Sequence, residues 1–495
     1  LTASRTELLD TIAHSAYDVV IVGGGATGLG CALDAQLRGL RTVLIEARDF
    51  ASATSSASTK LAHGGVRYLQ QAVQHLDIRE YRLVKDALRE RALMLRNAPH
   101  LAHALEFIVP CYSRLEMLYY GAGLKMYDWM AGSRRLVPSR VISRNAAVER
   151  VPRIRSGGLA GAVTYADGQF DDARYAIALL TAFRNAGGHA INYARAVGFE
   201  KSANGRIDAV DVEGGISIRA RAFVNAAGPF SDAVRRMASP GAADRMEPSK
   251  GIHVLFPLDG WRNDALLVPK TDDGRVVFAI PYLGRLLVGT TDDAAAPDHD
   301  PAVTRAELDY LLAQVNRYLA KPLAAADVVS AFAGIRPLIA RAAAATKRLV
   351  RDDEVEVDAR SGLISILGGK WTTYRLMAER TIDRVQQQLG ERVGGCPTQD
   401  HRLPEPAPAE TLQAQVTRAV REEMAMTIED VLRRRTGTEL FSWSAAREAA
   451  PAVGATMAAE LGWPREETDR AIQQYVARID RMREDAGLTA AQGRR

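Results

Sequence analysis

Asp18-Val-Val-Ile-Val22, running into Gly23-Gly-Gly-Ala-Thr-Gly28, is the stretch on which the fold turns. A short, continuously apolar run that meets glycines reads as a buried strand entering a tight turn. Leu29 to Arg38 then carry Ala, Leu and Cys at helical spacing until Gly39 stops them, and Arg41-Thr-Val-Leu-Ile-Glu46 reads as the next strand. Together they make a βαβ unit. Gly23, Gly25 and Gly28 match G-x-G-x-x-G, a weak pattern alone. Here it sits between strand and helix, and Glu46 ends the second strand where a carboxylate accepts hydrogen bonds from ribose hydroxyls. The expectation is a dinucleotide site in which small residues admit the pyrophosphate and a helix N-terminus faces it with N–H donors. A mere helix–strand packing turn would leave Glu46 without a purpose.

The pattern continues far downstream. A serine-rich loop from Ala51 to Lys60 leads through His63-Gly-Gly-Val-Arg67-Tyr68 to a long amphipathic helix expected from about Leu76 to Arg96. Ala220-Arg-Ala-Phe-Val-Asn-Ala-Ala-Gly228 is another apolar strand ending in small residues, and Leu363-Ile-Ser-Ile-Leu367 opens through Gly368-Gly369 into a helix expected over Trp371 to Leu389. The nucleotide domain is therefore discontinuous. From Lys250 to Asp293 the signals change to hairpin strands, an antiparallel sheet that includes Gly251-Ile-His-Val-Leu-Phe256. Thr304 and Glu307 spell a capping box for a following helix. Pro397, Pro404, Pro406 and Pro408 mark a linker, and the remainder is helical in pattern, a separate cap of a few helices.

Composition narrows the class. The 495 residues are 47% hydrophobic and 25% charged, which excludes a disordered or fibrous chain. A net charge of +5 is too diffuse for nucleic acid. Cys31, Cys111 and Cys396 are too far apart for zinc or a bridge framework, and a reducing, cytoplasmic compartment is expected. The most apolar window, Val19 to Leu33, is shorter than the ~20 residues a membrane span needs. Leu1 to His14 lacks the apolar run of a signal peptide, so secretion is not expected. His100 and His103 have no carboxylate or cysteine pattern beside them, so no metal is expected, and no G-x-S-x-G elbow supports acyl transfer.

Thr54-Ser-Ser-Ala-Ser-Thr-Lys-Leu-Ala-His-Gly-Gly-Val-Arg-Tyr68, Gly289-Thr-Thr-Asp292, Gly334-Ile-Arg-Pro337 and Leu367-Gly-Gly-Lys-Trp-Thr-Thr-Tyr-Arg375 together resemble the FAD-dependent glycerol-3-phosphate dehydrogenases. The similarity spans nearly the whole chain. It extends into the cap at Glu422-Glu-Met-Ala425 and Asp430-Val-Leu-Arg-Arg-Arg-Thr436. Sister glycerol-3-phosphate oxidases share most of these motifs, and amine or amino-acid oxidases of related fold are a more distant alternative. The resemblance implies oxidation of sn-glycerol 3-phosphate at C2 to dihydroxyacetone phosphate, with hydride transfer to flavin N5 and reoxidation by a membrane quinone. It also implies a peripheral association with the cytoplasmic membrane and suggests a homodimer.

Residue roles follow as expectations. A phosphate dianion suits arginine forks, with Arg67, Arg336 and Arg351 as candidates and Tyr68 and Thr290 beside them; Thr290 and Thr291 alternatively satisfy a strand end. His253, on an alternating strand and beside the substrate by the resemblance, is the first choice for the base that takes the C2 hydroxyl proton. A lone strand histidine is otherwise commonly structural. Lys370 and Arg336 are alternatives for polarising the alkoxide. Thr54, Ser55, Ser56, Ser58, Lys60, His63, Gly64, Ala227, Gly228, Gly334, Gly368, Gly369, Lys370 and Thr372 join the three fingerprint glycines and Glu46 as cofactor contacts. No covalent bond to His63 is predicted. Leu115 to Arg135 mixes Leu, Tyr and Trp with Lys and Arg, a composition suited to a membrane interface, although such a stretch is more often a core helix or active-site lid.

The expected architecture is an α/β fold with α+β elements. It comprises a discontinuous Rossmann-like FAD-binding domain (17–95, 150–235 and 330–390), an antiparallel-sheet substrate domain (96–149 and 236–329), a linker (397–409) and a helical C-terminal cap (410–495).

Overall fold

The computed structural model describes residues 5–65, 78–340 and 353–488. The strand Tyr17–Val22 lies in a mixed sheet, parallel to Thr42–Ile45 on one side and to Ile216–Asn225 on the other. Ile364–Gly368 continues the sheet parallel to Ile216–Asn225, and Asp353–Val357 closes that edge antiparallel. Helices cover one face: Leu29 and Leu33 from Ala26–Leu37 pack with Met377 and Ile382 from Tyr374–Leu389 over Val19 and Ile21. Val20 and Val22 face the other way into a second core with Ile12, Val210 and Phe223. Burial on both faces is why the strand reads as an unbroken apolar run.

The second sheet is built around Ser249–Pro257, which pairs antiparallel with Arg285–Gly289 and with Ser330–Arg336. It runs on through Val277–Tyr282 and Ala265–Val268 to Ala102–Cys111 and Gly161–Phe170. Ala265–Val268 lies parallel to Ala102–Cys111, so the sheet is mixed where a purely antiparallel one was expected. The expected domain boundaries also shift. Gly161–Phe170 and Ser330–Arg336, assigned above to the nucleotide segments, are strands of this second sheet, and Leu61–Ala62 pairs there too. All three are largely buried, and a strand's own composition does not say which neighbour it pairs with.

The helix of the expected stretch 76–96 is described as Ile78–Asn97. Trp371–Thr373 is a 3₁₀ turn, and the helix proper starts at Tyr374. The Thr304/Glu307 capping box is formed. The linker is fastened rather than loose: Asn97 Nδ2 donates to the Thr398 carbonyl and Leu403 N to the Asn97 carbonyl. Nor is the cap a separate body. Val431 and Leu432, Met457 of the helix Trp443–Leu461, and Ile479 of Arg465–Asp485 enter the same core as Val254, Phe256 and Val288 of the second sheet.

Candidate active site

One elongated cavity runs between the two sheets, from Glu46 and the fingerprint glycines at one end to His253, Arg336 and Lys370 at the other. At the first end Gly23 has φ +111°, and a Cβ there would sit 2.6 Å from the Ala226 carbonyl oxygen. A Cβ on Gly28 would overlap the Gly23 carbonyl. The turn therefore closes only with glycine at these positions. Glu46 accepts from the Gly24 N–H at 2.6 Å and from the Arg48 N–H at 2.9 Å. Burial raises its carboxyl above the usual range, and these two amides oppose that rise.

The serine-rich loop divides into residues that line the cavity and residues that hold the loop. Ser55 Oγ accepts from the Ala26 N–H at 2.9 Å, in the first turn of the helix that follows the glycines. Thr54 Oγ1 donates to the Ile335 carbonyl. Both line the cavity, as do His63, Ala227, Gly228, Gly334, Gly368, Gly369, Lys370 and Thr372. Lys60, expected beside the cofactor, is instead fully buried, its Nζ 2.5 Å from Asp172 Oδ1 and 2.7 Å from the Ser56 carbonyl. Ser58 lines the cavity as expected but turns its hydroxyl to the same Asp172 at 2.7 Å. Ser56 is buried behind the cavity wall, and Gly64 gives its N–H to Tyr127. An ammonium and an amide of this kind stay buried only when paired, and the pairs available lie beneath the loop.

At the far end the second sheet delivers the chemistry. Ser249 is in register with Arg336, and His253 with Phe332. The Arg336 guanidinium donates to Asp292 Oδ1 at 3.0 Å, Thr290 Oγ1 at 3.0 Å and the Thr291 carbonyl at 2.8 Å. A Cβ on Gly251 would overlap this guanidinium, so the glycine lets it lie across the strand. Thr290, expected at the substrate, is held against Arg336 and does not line the cavity. His253 is buried, stacks on Phe332 with ring centroids 4.8 Å apart, and has Nε2 2.9 Å from Thr59 Oγ1. Its Nδ1 has no hydrogen-bond partner among the described residues. Burial, then the charges of Arg336 and Lys60, hold the imidazole well below its usual pKa, so it is neutral. Arg67, Tyr68 and Arg351 lie outside the described residues.

Sequence reasoning missed Thr59, Asp172 and the stacked rings of Phe230 and His299 at the cavity wall. Asp292 and Thr59 had a signal, since they lie in the Gly289–Asp292 and Thr54–Tyr68 motifs; Asp172, Phe230 and His299 had none.

Residues 18–375 match the family model described as FAD dependent oxidoreductase. The chain belongs to the FAD-dependent oxidoreductase family. Residues 363–468 of this flavoprotein also match the model of the C-terminal domain of alpha-glycerophosphate oxidase. It is 43% identical over 410 residues to the probable mitochondrial glycerol-3-phosphate dehydrogenase of Caenorhabditis elegans, covering 80% of this chain and 56% of the relative. The human mitochondrial enzyme of that name is 40% identical over 405 residues, 79% of this chain and 55% of the relative. The chain thus spans about half the length of the curated relatives it matches. The structure of glycerol-3-phosphate dehydrogenase from Bacillus halodurans complexed with FAD superposes with a TM-score of 0.80 at 28% identity, covering 98% and 99% of the two chains. The resemblance read from the motifs is borne out.

The cavity of this FAD-dependent oxidoreductase fits its cofactor. The fingerprint glycines close a turn where a Cβ would meet the backbone or Ser55, and Glu46 ends the second strand beside them, where a βαβ unit presents a carboxylate to a ribose. Gly23, Gly25, Ser55 and Glu46 would hold the adenosine diphosphate half, and Gly368, Gly369 and Lys370 would line the ring end.

Proposed function

We propose that the protein oxidises sn-glycerol 3-phosphate at C2 to dihydroxyacetone phosphate, with a membrane quinone as final electron acceptor. The observation that carries this reading is the pairing, at one end of the flavin cavity, of a fixed arginine fork with a buried neutral histidine. Bound FAD supplies a two-electron acceptor for the hydride lost from C2. Arg336, locked by Asp292 and Thr291, is preorganised to receive an anionic group without reordering its own side chain. His253, already deprotonated, takes the C2 hydroxyl proton. Lys370, on the same cavity, adds positive charge toward the developing alkoxide.

The test is a visible spectrum of purified protein before and after anaerobic glycerol 3-phosphate. Bleaching of a yellow chromophore supports the reading, whereas an unchanged spectrum with bound flavin removes the substrate. The oxidase-type C-terminal match keeps O₂ as the competing acceptor. Peroxide yield measured against quinone-dye reduction separates the two.

Peripheral membrane contact is part of the proposal. Among the described residues no helix is long and apolar enough to cross a membrane. The helix Arg114–Ala131, however, exposes Leu115 at 78%, Leu118 at 70% and Trp129 at 73% beside Lys125 and Arg135. Such a face suits insertion at an anionic, cytoplasm-facing lipid surface. Flotation with anionic vesicles tests it, and light scattering tests the proposed homodimer.

A further inference from the structure

The motif Asp430-Val-Leu-Arg-Arg-Arg-Thr436 has no part in the chemistry above, yet its three arginines are all buried. They occupy a π-helical turn, Asp430–Arg435, whose consecutive side chains reach two different carboxylates, Asp49 and Asp300. Arg434 Nε and Arg435 Nη1 each lie 2.6 Å from Asp49 Oδ2, and Arg435 Nη2 lies 2.9 Å from Oδ1. Asp49 belongs to the turn after Glu46, and that turn is stitched to the fingerprint glycines by Ala51 N–H to the Gly24 carbonyl at 3.0 Å. Arg433, with Arg478, instead grips Asp300, all three contacts being 3.1 Å.

Asp300 lies in the connection between Asp293–Ala294 and the helix Arg305–Asn316. The preceding residue, His299, stacks on Phe230 with ring centroids 3.9 Å apart and planes 12° from parallel. Both rings line the same cavity as Glu46. Burial and the charges of Arg48 and Arg195 hold His299 down to about 4, so the ring is neutral, and Arg48 gives its own N–H to Glu46. A neutral aromatic pair beside a ribose carboxylate is a surface on which a purine stacks.

We propose that the cap's Arg433–Arg435 turn clamps the adenosine end of the FAD site, fixing the Glu46 wall through Asp49 and the His299–Phe230 wall through Asp300. These arginines are positioning residues. The proposal rests on the flavin reading of the cavity and not on the identity of the substrate.

The experiment titrates FAD into the apo form of the full chain, following flavin fluorescence quenching, with unfolding midpoints measured in parallel. Arg433 and Arg478 keep Glu429 and Glu439 as partners, so Asp300→Asn, at a residue 41% exposed, releases the strap without leaving a buried guanidinium unpaired. Asp300→Asn and His299→Ala are each expected to raise the FAD Kd about tenfold, the loss of one charge-assisted or stacking contact. The double variant should lose no more than the weaker single one, and the apo midpoints should stay level. Arg447→Ala, which removes an exposed pair with Asp480 inside the cap and reaches neither wall, should bind FAD as the wild type does. An unchanged Kd in Asp300→Asn, or an equal loss in Arg447→Ala, overturns the clamp while leaving the flavin reading intact. A wild type that binds no FAD overturns both.

Discussion

Asp292 Oδ1 stands 3.0 Å from Arg336 Nη1, and this ion pair, joining a turn to the neighbouring strand, decides which way the site's fixed guanidinium faces. Arg336 is also tied to Thr290 and Thr291 on the same turn. An arginine fixed by such acceptors meets an anion without reordering its own side chain.

Arg336→Ala is therefore expected to raise KM for glycerol 3-phosphate by about 10- to 100-fold, the value of a charged hydrogen bond. Bound flavin should be retained. Asp292→Asn should show a smaller rise of the same kind. Steady-state kinetics with absorbance at the flavin bands checks both, and an unchanged KM in Arg336→Ala removes the anion-binding role.

His253 governs a pH effect of definite sign. Its folded pKa is pushed well below 6.5, so the unfolded chain binds a proton that the folded chain refuses. The stability this histidine allows is complete above pH 6.5 and is lost progressively as pH falls below it. Histidine 253 replaced by Gln should flatten the acid side of the unfolding curve and cut kcat by about 10²–10⁴, the usual worth of a positioned base. A kcat within a few-fold of wild type would assign the proton elsewhere.

Gly28→Ala places a methyl group against the Gly23 carbonyl. The backbone turn must shift, at a cost of about 1–3 kcal/mol. The purified variant should be colourless or weakly coloured, checked by the ratio of flavin to protein absorbance.

Lys60 and Asp172 are both fully buried. Lys60→Met leaves a lone carboxylate beneath the serine loop and is expected to destabilise the protein by about 3–5 kcal/mol. Lys60→Met combined with Asp172→Leu should recover part of that loss. Denaturant unfolding of both variants measures it.

The contrast between Glu46 and Lys60 shows how far the sequence could be read. Glu46 was legible because its role follows from position in a βαβ unit, a local pattern with a fixed geometric outcome. Lys60 sat in an equally telling motif, but its direction depends on Asp172, remote along the chain, and no spacing announces that partner. The same limit explains the sheet boundaries. Gly161–Phe170 was placed only within the 150–235 segment, and its pairing with Ala102–Cys111 is settled by tertiary contacts. His253 lay on a readable strand, and its neutrality came from Phe332, Arg336 and Lys60 closing around it.

Because Leu432, Met457 and Ile479 complete the oily interior behind Phe256 and Val288, that sheet has an open face until the final helices leave the ribosome. A nascent chain halted in the proline stretch after Cys396 would carry this sticky surface uncovered and be prey to aggregation. Synthesis must therefore pass the helix Arg465–Asp485 before that face is covered.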